Sequence, residues 1–156
     1  MINIESKASG NAALSNVTWQ HVFNGSVLKE IIIVTAYRSS GSDPTSTETC
    51  TVGGNAATRI VSKYADRMHT SIWKYSGNVT GDTTIAINAG TGCAACFGAS
   101  YLINYIDLTY LPDAFGSASG TGTAVSVNIT PTQKNSLVID VMVHRTDSPL
   151  PTPHAA

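Results

Sequence analysis

Cys93 and Cys96 are the first residues whose spacing could carry chemistry. A C-x-x-C pair works as a dithiol when a helix N-terminus lowers the pKa of one thiol. Here the pair enters a β-branched, aromatic stretch that reads as a strand, where residues three apart point to opposite faces. The expectation is two small buried thiols with no redox role. A zinc site needs about four ligands. The nearest further donors are His69 and His144, and no spacing ties them to the cysteines, so no metal is expected. Asp140 and His144, four apart on a strand, share a face, and one of 17 Ser could complete an acid–base–nucleophile set. With so many Ser the match carries no information, and the expected role is an outward polar face. Asp66 and His69 fall on opposite strand faces. Gly53-Gly54 lacks the following Lys and helix of a phosphate loop. Glu stands only at positions 5, 30 and 48, and no glycosidase pair can be assembled. No catalytic, metal-binding or cofactor-binding residue is assigned, and the chain reads as a non-enzyme.

Trp19, Trp73, Tyr75 and Tyr101 could form a platform for stacking sugars. Aromatic residues on strands more often form the core, and that is the expectation. The sequons at Asn16, Asn24, Asn78 and Asn128 follow from the Asn, Ser and Thr content, and no glycan is assigned.

The elements that must position these residues are strands. Residues 1–7 alternate apolar and polar, and 16–23 place Val17, Trp19, His21 and Phe23 on one face. Asn24-Gly25 is a strong hairpin signal. Residues 27–37 contain the apolar run Ile31, Ile32, Ile33, Val34, which suggests burial on both faces. A polar loop spans 38–49. Short strands are expected at 50–52 and 56–62, then an alternating one at 67–75, with turns at Gly53-Gly54, Gly77-Asn78 and Gly81-Asp82. Residues 83–88 add Ile85 and Ile87, and 95–107 place Phe97, Ala99, Tyr101, Ile103 and Tyr105 on one face. Gly98 within that strand points to a bulge or close packing. Residues 125–129 and 136–145 supply the last two strands. About nine short strands with no confident helix predict an all-β antiparallel β-sandwich, jelly-roll-like or immunoglobulin-like. The Cys–Trp–Cys spacing of an immunoglobulin domain proper is missing. Residues 1–145 form the expected domain. Residues 146–156, with Pro149, Pro151 and Pro153, form an extended C-terminal arm.

Composition agrees. Thr, Ser and Gly number 19, 17 and 13 of 156 residues, and charged residues make up 12%. An average domain has roughly 25% charged residues. Net charge is −1, and the Lys and Arg residues are scattered, which argues against nucleic acid. No run of apolar residues approaches a membrane span. Residues 1–10 show no apolar signal region, so no secretory signal is expected. Three Cys are an odd number and do not make a disulfide framework.

Several stretches together resemble a known module. They are Val52-Gly53-Gly54, Ala57-Thr58-Arg59-Ile60, Ile72-Trp73-Lys74-Tyr75, Tyr105-Ile106-Asp107 and Ser136-Leu137-Val138-Ile139-Asp140-Val141. The chain is similar, over roughly 36–143, to a β-sandwich module of phage virion proteins and bacterial surface proteins. It also resembles phage capsid decoration (cement) proteins. That resemblance implies a structural virion protein on the capsid surface, made in the host cytoplasm. Its partners would be the major capsid protein, or another virion protein, and further copies of itself, with a trimer favoured. Leu150, Pro151 and Pro153 of the arm, with Ile2 and Ile4 at the other end, are the candidate assembly contacts. The alternative is a carbohydrate-binding or adhesin module of a tail fibre or cell surface, which requires exposed Trp19 or Trp73.

Overall fold

Period-two alternation sets the first face. Val17, Trp19, His21 and Phe23 are buried, while Thr18, Gln20 and Val22 between them are exposed. The structure, a computed structural model, describes residues 3–12, 15–39, 43–90, 93–104, 114–120, 125–132, 134 and 136–143.

Within these residues the fold is all-β, a single antiparallel sheet of seven strands. They are β1 (Asn3–Ala12), β2 (Asn16–Ser39), β3 (Thr49–Val52), β4 (Asn55–Ala56), β5 (Thr58–Ala65), β6 (Met68–Asn88) and β7 (Cys93–Asn104). The order is β1-β7-β2-β6-β3-β4, and β5 also pairs with β6.

The sheet folds on itself because β2 and β6 are long and bend together. Residues 16–23 of β2 pair with 81–88 of β6, and residues 27–38 pair with 68–79. Between Phe23 and Val27 the register shifts, so that 24–26 of β2 stand against Thr80 alone. Extra residues on one strand bend it and sharpen its twist. Gly81, at φ 62°, supplies the left-handed conformation on the partner strand. Strands that cross a corner in this way build the two layers of a sandwich from one ladder. One layer holds β1, β7, the second half of β2, the first half of β6, and β5. The other holds the first half of β2, the second half of β6, β3 and β4.

The core lies between the layers. Phe23, Ile31, Ile33, Ile85, Ile87 and Leu102 each expose 2% or less of their surface. Burial of such a side chain contributes about 1.5–3 kcal/mol. Gly98 on β7 sits beneath Trp19, where a Cβ would lie 2.5 Å from the indole ring. Close packing, rather than a bulge, therefore explains this glycine.

Among the described residues there are seven strands where about nine short ones were expected, for two reasons. Asn24-Gly25, Gly77-Asn78 and Gly81-Asp82 lie inside β2 and β6 instead of closing hairpins, so expected neighbours fuse. The described residues of the stretches expected as strands, 125–129 and 136–143, form no ladder. The β5–β6 hairpin instead turns on Asp66 and Arg67, both at positive φ. That is the conformation of a two-residue hairpin turn, reached here without glycine.

Candidate functional site

Two polar clusters are sealed inside the sandwich, and a pair of thiols sits at its margin. The first cluster joins the layers. Trp19 Nε1 donates to Ser100 Oγ at 2.9 Å, His21 Nδ1 lies 2.8 Å from the same oxygen, and His21 Nε2 lies 2.8 Å from Ser6 Oγ. Burial lowers the pKa of His21 and keeps its imidazole neutral. One ring nitrogen then donates and the other accepts. The indole N–H occupies an acceptor site of Ser100, whose hydroxyl proton has two acceptors in reach, Ala8 O at 3.5 Å and His21 Nδ1 at 2.8 Å, and the shorter bond takes it. We therefore assign the Nε2–H tautomer, donating to Ser6 Oγ. A hydroxyl next to a neutral imidazole is the starting arrangement of nucleophilic catalysis. In the assigned tautomer the hydroxyl that faces the basic nitrogen is that of Ser100, which is buried and also holds the indole N–H, and the other ring nitrogen meets Ser6 rather than a carboxylate. The groove nearest these strands opens on the opposite face of the sheet.

The second cluster surrounds Glu48, whose carboxylate is fully buried. Its Oε1 accepts from Thr35 Oγ1 at 3.0 Å and Ser71 Oγ at 2.8 Å. Its Oε2 lies 3.1 Å from His69 Nε2 and 3.7 Å from the Arg59 guanidinium. Trp73 Nε1 donates to Ser71 Oγ at 2.7 Å, and Arg59 lies over the Trp73 ring at 5.3 Å. A buried carboxylate is tolerated only with this degree of compensation. The cluster ties the segment before β3 to the core, because Pro44 O accepts from Thr47 N and Glu48 N and Arg59 donates to Thr45 O. Its role is architectural: Ser71 and His69 both address Glu48 rather than each other.

The thiols depart from expectation. Ser39 pairs with Cys93 and Arg38 with Ala95, so Ala94 is an extra residue in β7. That bulge returns Cys93 to the face occupied by Cys96, and the Cys93 thiol donates to Ala95 O at 3.3 Å. Cys50 is buried on β3, and its thiol is pushed up to about 12, chiefly by burial.

Other expectations divide. Trp19 and Trp73 expose only 6% and 5% of their surface, as core residues do, and offer no sugar platform. His69 is buried on β6, whereas Asp66 is exposed in the β5–β6 turn and not on a strand, so the two do not occupy opposite faces of one strand as expected. Asp140 is exposed, and His144 lies outside the described residues. Among the described residues no group of three or more His, Cys, Asp or Glu could hold a metal ion. No helix among them is long and apolar enough to cross a membrane.

No family model matches the chain, and no curated protein or solved structure matches it.

The surface carries the remaining candidate site. Of the proposed assembly contacts, Ile4 is exposed on β1, an edge strand. Ile2, Leu150, Pro151 and Pro153 lie outside the described residues, as does the whole arm 146–156. Eight large apolar side chains missed as a group stand exposed between 97 and 142. They include Phe97 at 54%, Phe115 at 60% and Val138 at 66%. Phe97 stands on the outer face of the first layer, where Ile32 pairs with Tyr101, Val34 with Ala99, and Ala36 with Phe97. A groove of about 420 Å³ on that face is lined by Val34, Ala36, Phe97, Ala99 and Val141, with Ser9 and Asn11 at its side. The apolar residues of 125–129 and 136–143 were the available signal, and they point to strands rather than to an exposed surface.

Proposed function

We propose that this chain is a structural virion protein, a capsid decoration protein that works as a homo-oligomer, with a trimer favoured. The single observation that supports this reading is the concentration of exposed large apolar side chains between 97 and 142. Exposed apolar side chains, where they gather into a patch, mark a protein–protein contact. A stable contact needs about 800 Å² on each partner. The sandwich would act mechanically, bridging neighbouring capsomers, with the arm 146–156 and the residues around Ile4 as further contacts. No cofactor enters the mechanism.

The test is quantitative mass spectrometry of purified phage particles. Copies comparable to the major capsid protein are expected. A few copies per particle would move the protein to the tail or its fibres, and absence from particles would overturn the reading. Deleting residues 148–156 should weaken oligomer or shell binding while leaving the thermal transition of the sandwich in place. Unchanged binding would remove the arm from the contact.

A further inference from the structure

We propose that Cys93 and Cys96 are a disulfide-forming pair, a covalent modification site at the start of β7. In a regular strand the two side chains would point to opposite faces. The extra residue Ala94 removes that obstacle. Cys93 opposes Ser39 and Cys96 opposes Tyr37, two positions apart on β2, and both Ser39 and Tyr37 are buried on the core side. The cysteines therefore occupy alternate ladder positions of one face. Two rises of a strand are ~6.6 Å, inside the ~4.4–6.8 Å Cα separation that a disulfide spans.

The two thiols are also unequal. Cys93 is partly exposed and Cys96 fully buried. The neighbouring Cys96 thiol holds the Cys93 thiol below its ordinary pKa, and the neighbouring Cys93 together with burial raises Cys96. A partly exposed thiol of lowered pKa beside a buried second thiol is the arrangement that dithiol exchange uses. With a low-molecular-weight disulfide as oxidant, Cys93 loses its proton and its sulfur attacks one sulfur of the reagent. A mixed disulfide forms, and the first reagent thiolate leaves and takes up a proton. Cys96 then gives up its proton and attacks Cys93 Sγ, expelling the second reagent thiolate, which is protonated in turn. Two protein S–H groups are oxidised to one S–S bond, and the reagent is reduced to two thiols. Cys50, buried on β3, is the odd cysteine left over.

The experiment incubates the full chain with oxidised glutathione, then counts free thiols and maps disulfides by peptide mass spectrometry. The expected result is a fall from three free thiols to one, with the Cys93–Cys96 link in monomeric chain. Cys96→Ser should stop at the mixed disulfide on Cys93, and Cys50→Ser should leave the pair intact. Three surviving thiols, a link that uses Cys50, or a link between chains would overturn the proposal. Those outcomes are read on the wild-type chain, so the test stands even where a cysteine variant fails to fold.

Discussion

Trp19 on β2 donates its indole N–H to Ser100 Oγ on β7 across 2.9 Å, and the two residues belong to opposite layers of the sandwich. They are separated by 81 positions in sequence. The bond matters because both ends are buried. A donor left without a partner there costs its full desolvation, whereas an exposed one would turn to water. Ser100 also meets His21 at 2.8 Å, so one hydroxyl satisfies two buried ring nitrogens.

Ser100→Ala is therefore expected to cost more than a typical hydrogen bond. It strands Trp19 Nε1 and removes the donor to His21 Nδ1. The loss should be about 1–3 kcal/mol for each buried group left unpaired. Urea denaturation followed by tryptophan fluorescence measures it. The midpoint should fall with the slope unchanged, as for a pure stability change. A change below about 0.5 kcal/mol, the scale of a surface substitution, would show that the bond contributes nothing.

His21 makes stability depend on pH with a definite sign. Its pKa is below the ordinary 6.5 because burial penalises the imidazolium. The unfolded chain, with His21 near 6.5, binds a proton that the folded chain refuses. Stability rises with pH wherever the unfolded state binds more protons. The His21 contribution is present in full above about 6.5, falls away as pH drops from there to the lowered folded value, and changes no further below it. Denaturation midpoints at a series of pH values from 7.5 downward should decline through this window in the wild type. In His21→Gln the decline should be smaller, since that residue carries no titrating proton. Equal declines in the two proteins would assign the effect to other groups.

Much of the strand pattern was legible because alternation is a local property. Val17 to Phe23 and His69 to Trp73 face the core in the register that their spacing indicates. What escaped was decided by partners far away in sequence. Asn24-Gly25 favours a turn locally, yet β2 continues through it because β6 bends alongside and keeps the ladder. The bulge at Ala94 falls in an Ala-Ala pair with no conformational signature, and it alone brings Cys93 to the face of Cys96. In 136–143, Ile139, Val141 and Val143 are half-buried and Val138, Asp140 and Met142 exposed, so the alternation is real. Alternation defines a face but not the strand that will pair with it. Neither polar cluster could have been found by spacing, because Ser6, His21 and Ser100, like Thr35, Glu48 and Ser71, meet only through the fold.

The last prediction concerns the contact between Gly98 and Trp19. A Cβ at Gly98 would lie 2.5 Å from the indole ring, and both residues are buried, so neither has room to yield. Gly98→Ala should cost about 1–3 kcal/mol, the range for overpacking a filled core. Trp19→Phe removes the part of the ring that the new methyl would strike. On its own that change should also destabilise, because it leaves a void and deprives Ser100 of its donor. Combined with Gly98→Ala, the void and the methyl should offset each other. The double variant should then be more stable than the sum of the single losses by about 0.5–3 kcal/mol, the range found for residues in contact. A double-mutant cycle on urea midpoints measures the coupling. Simple additivity would mean that the two layers do not press together at this point, and that Gly98 is required for some other reason.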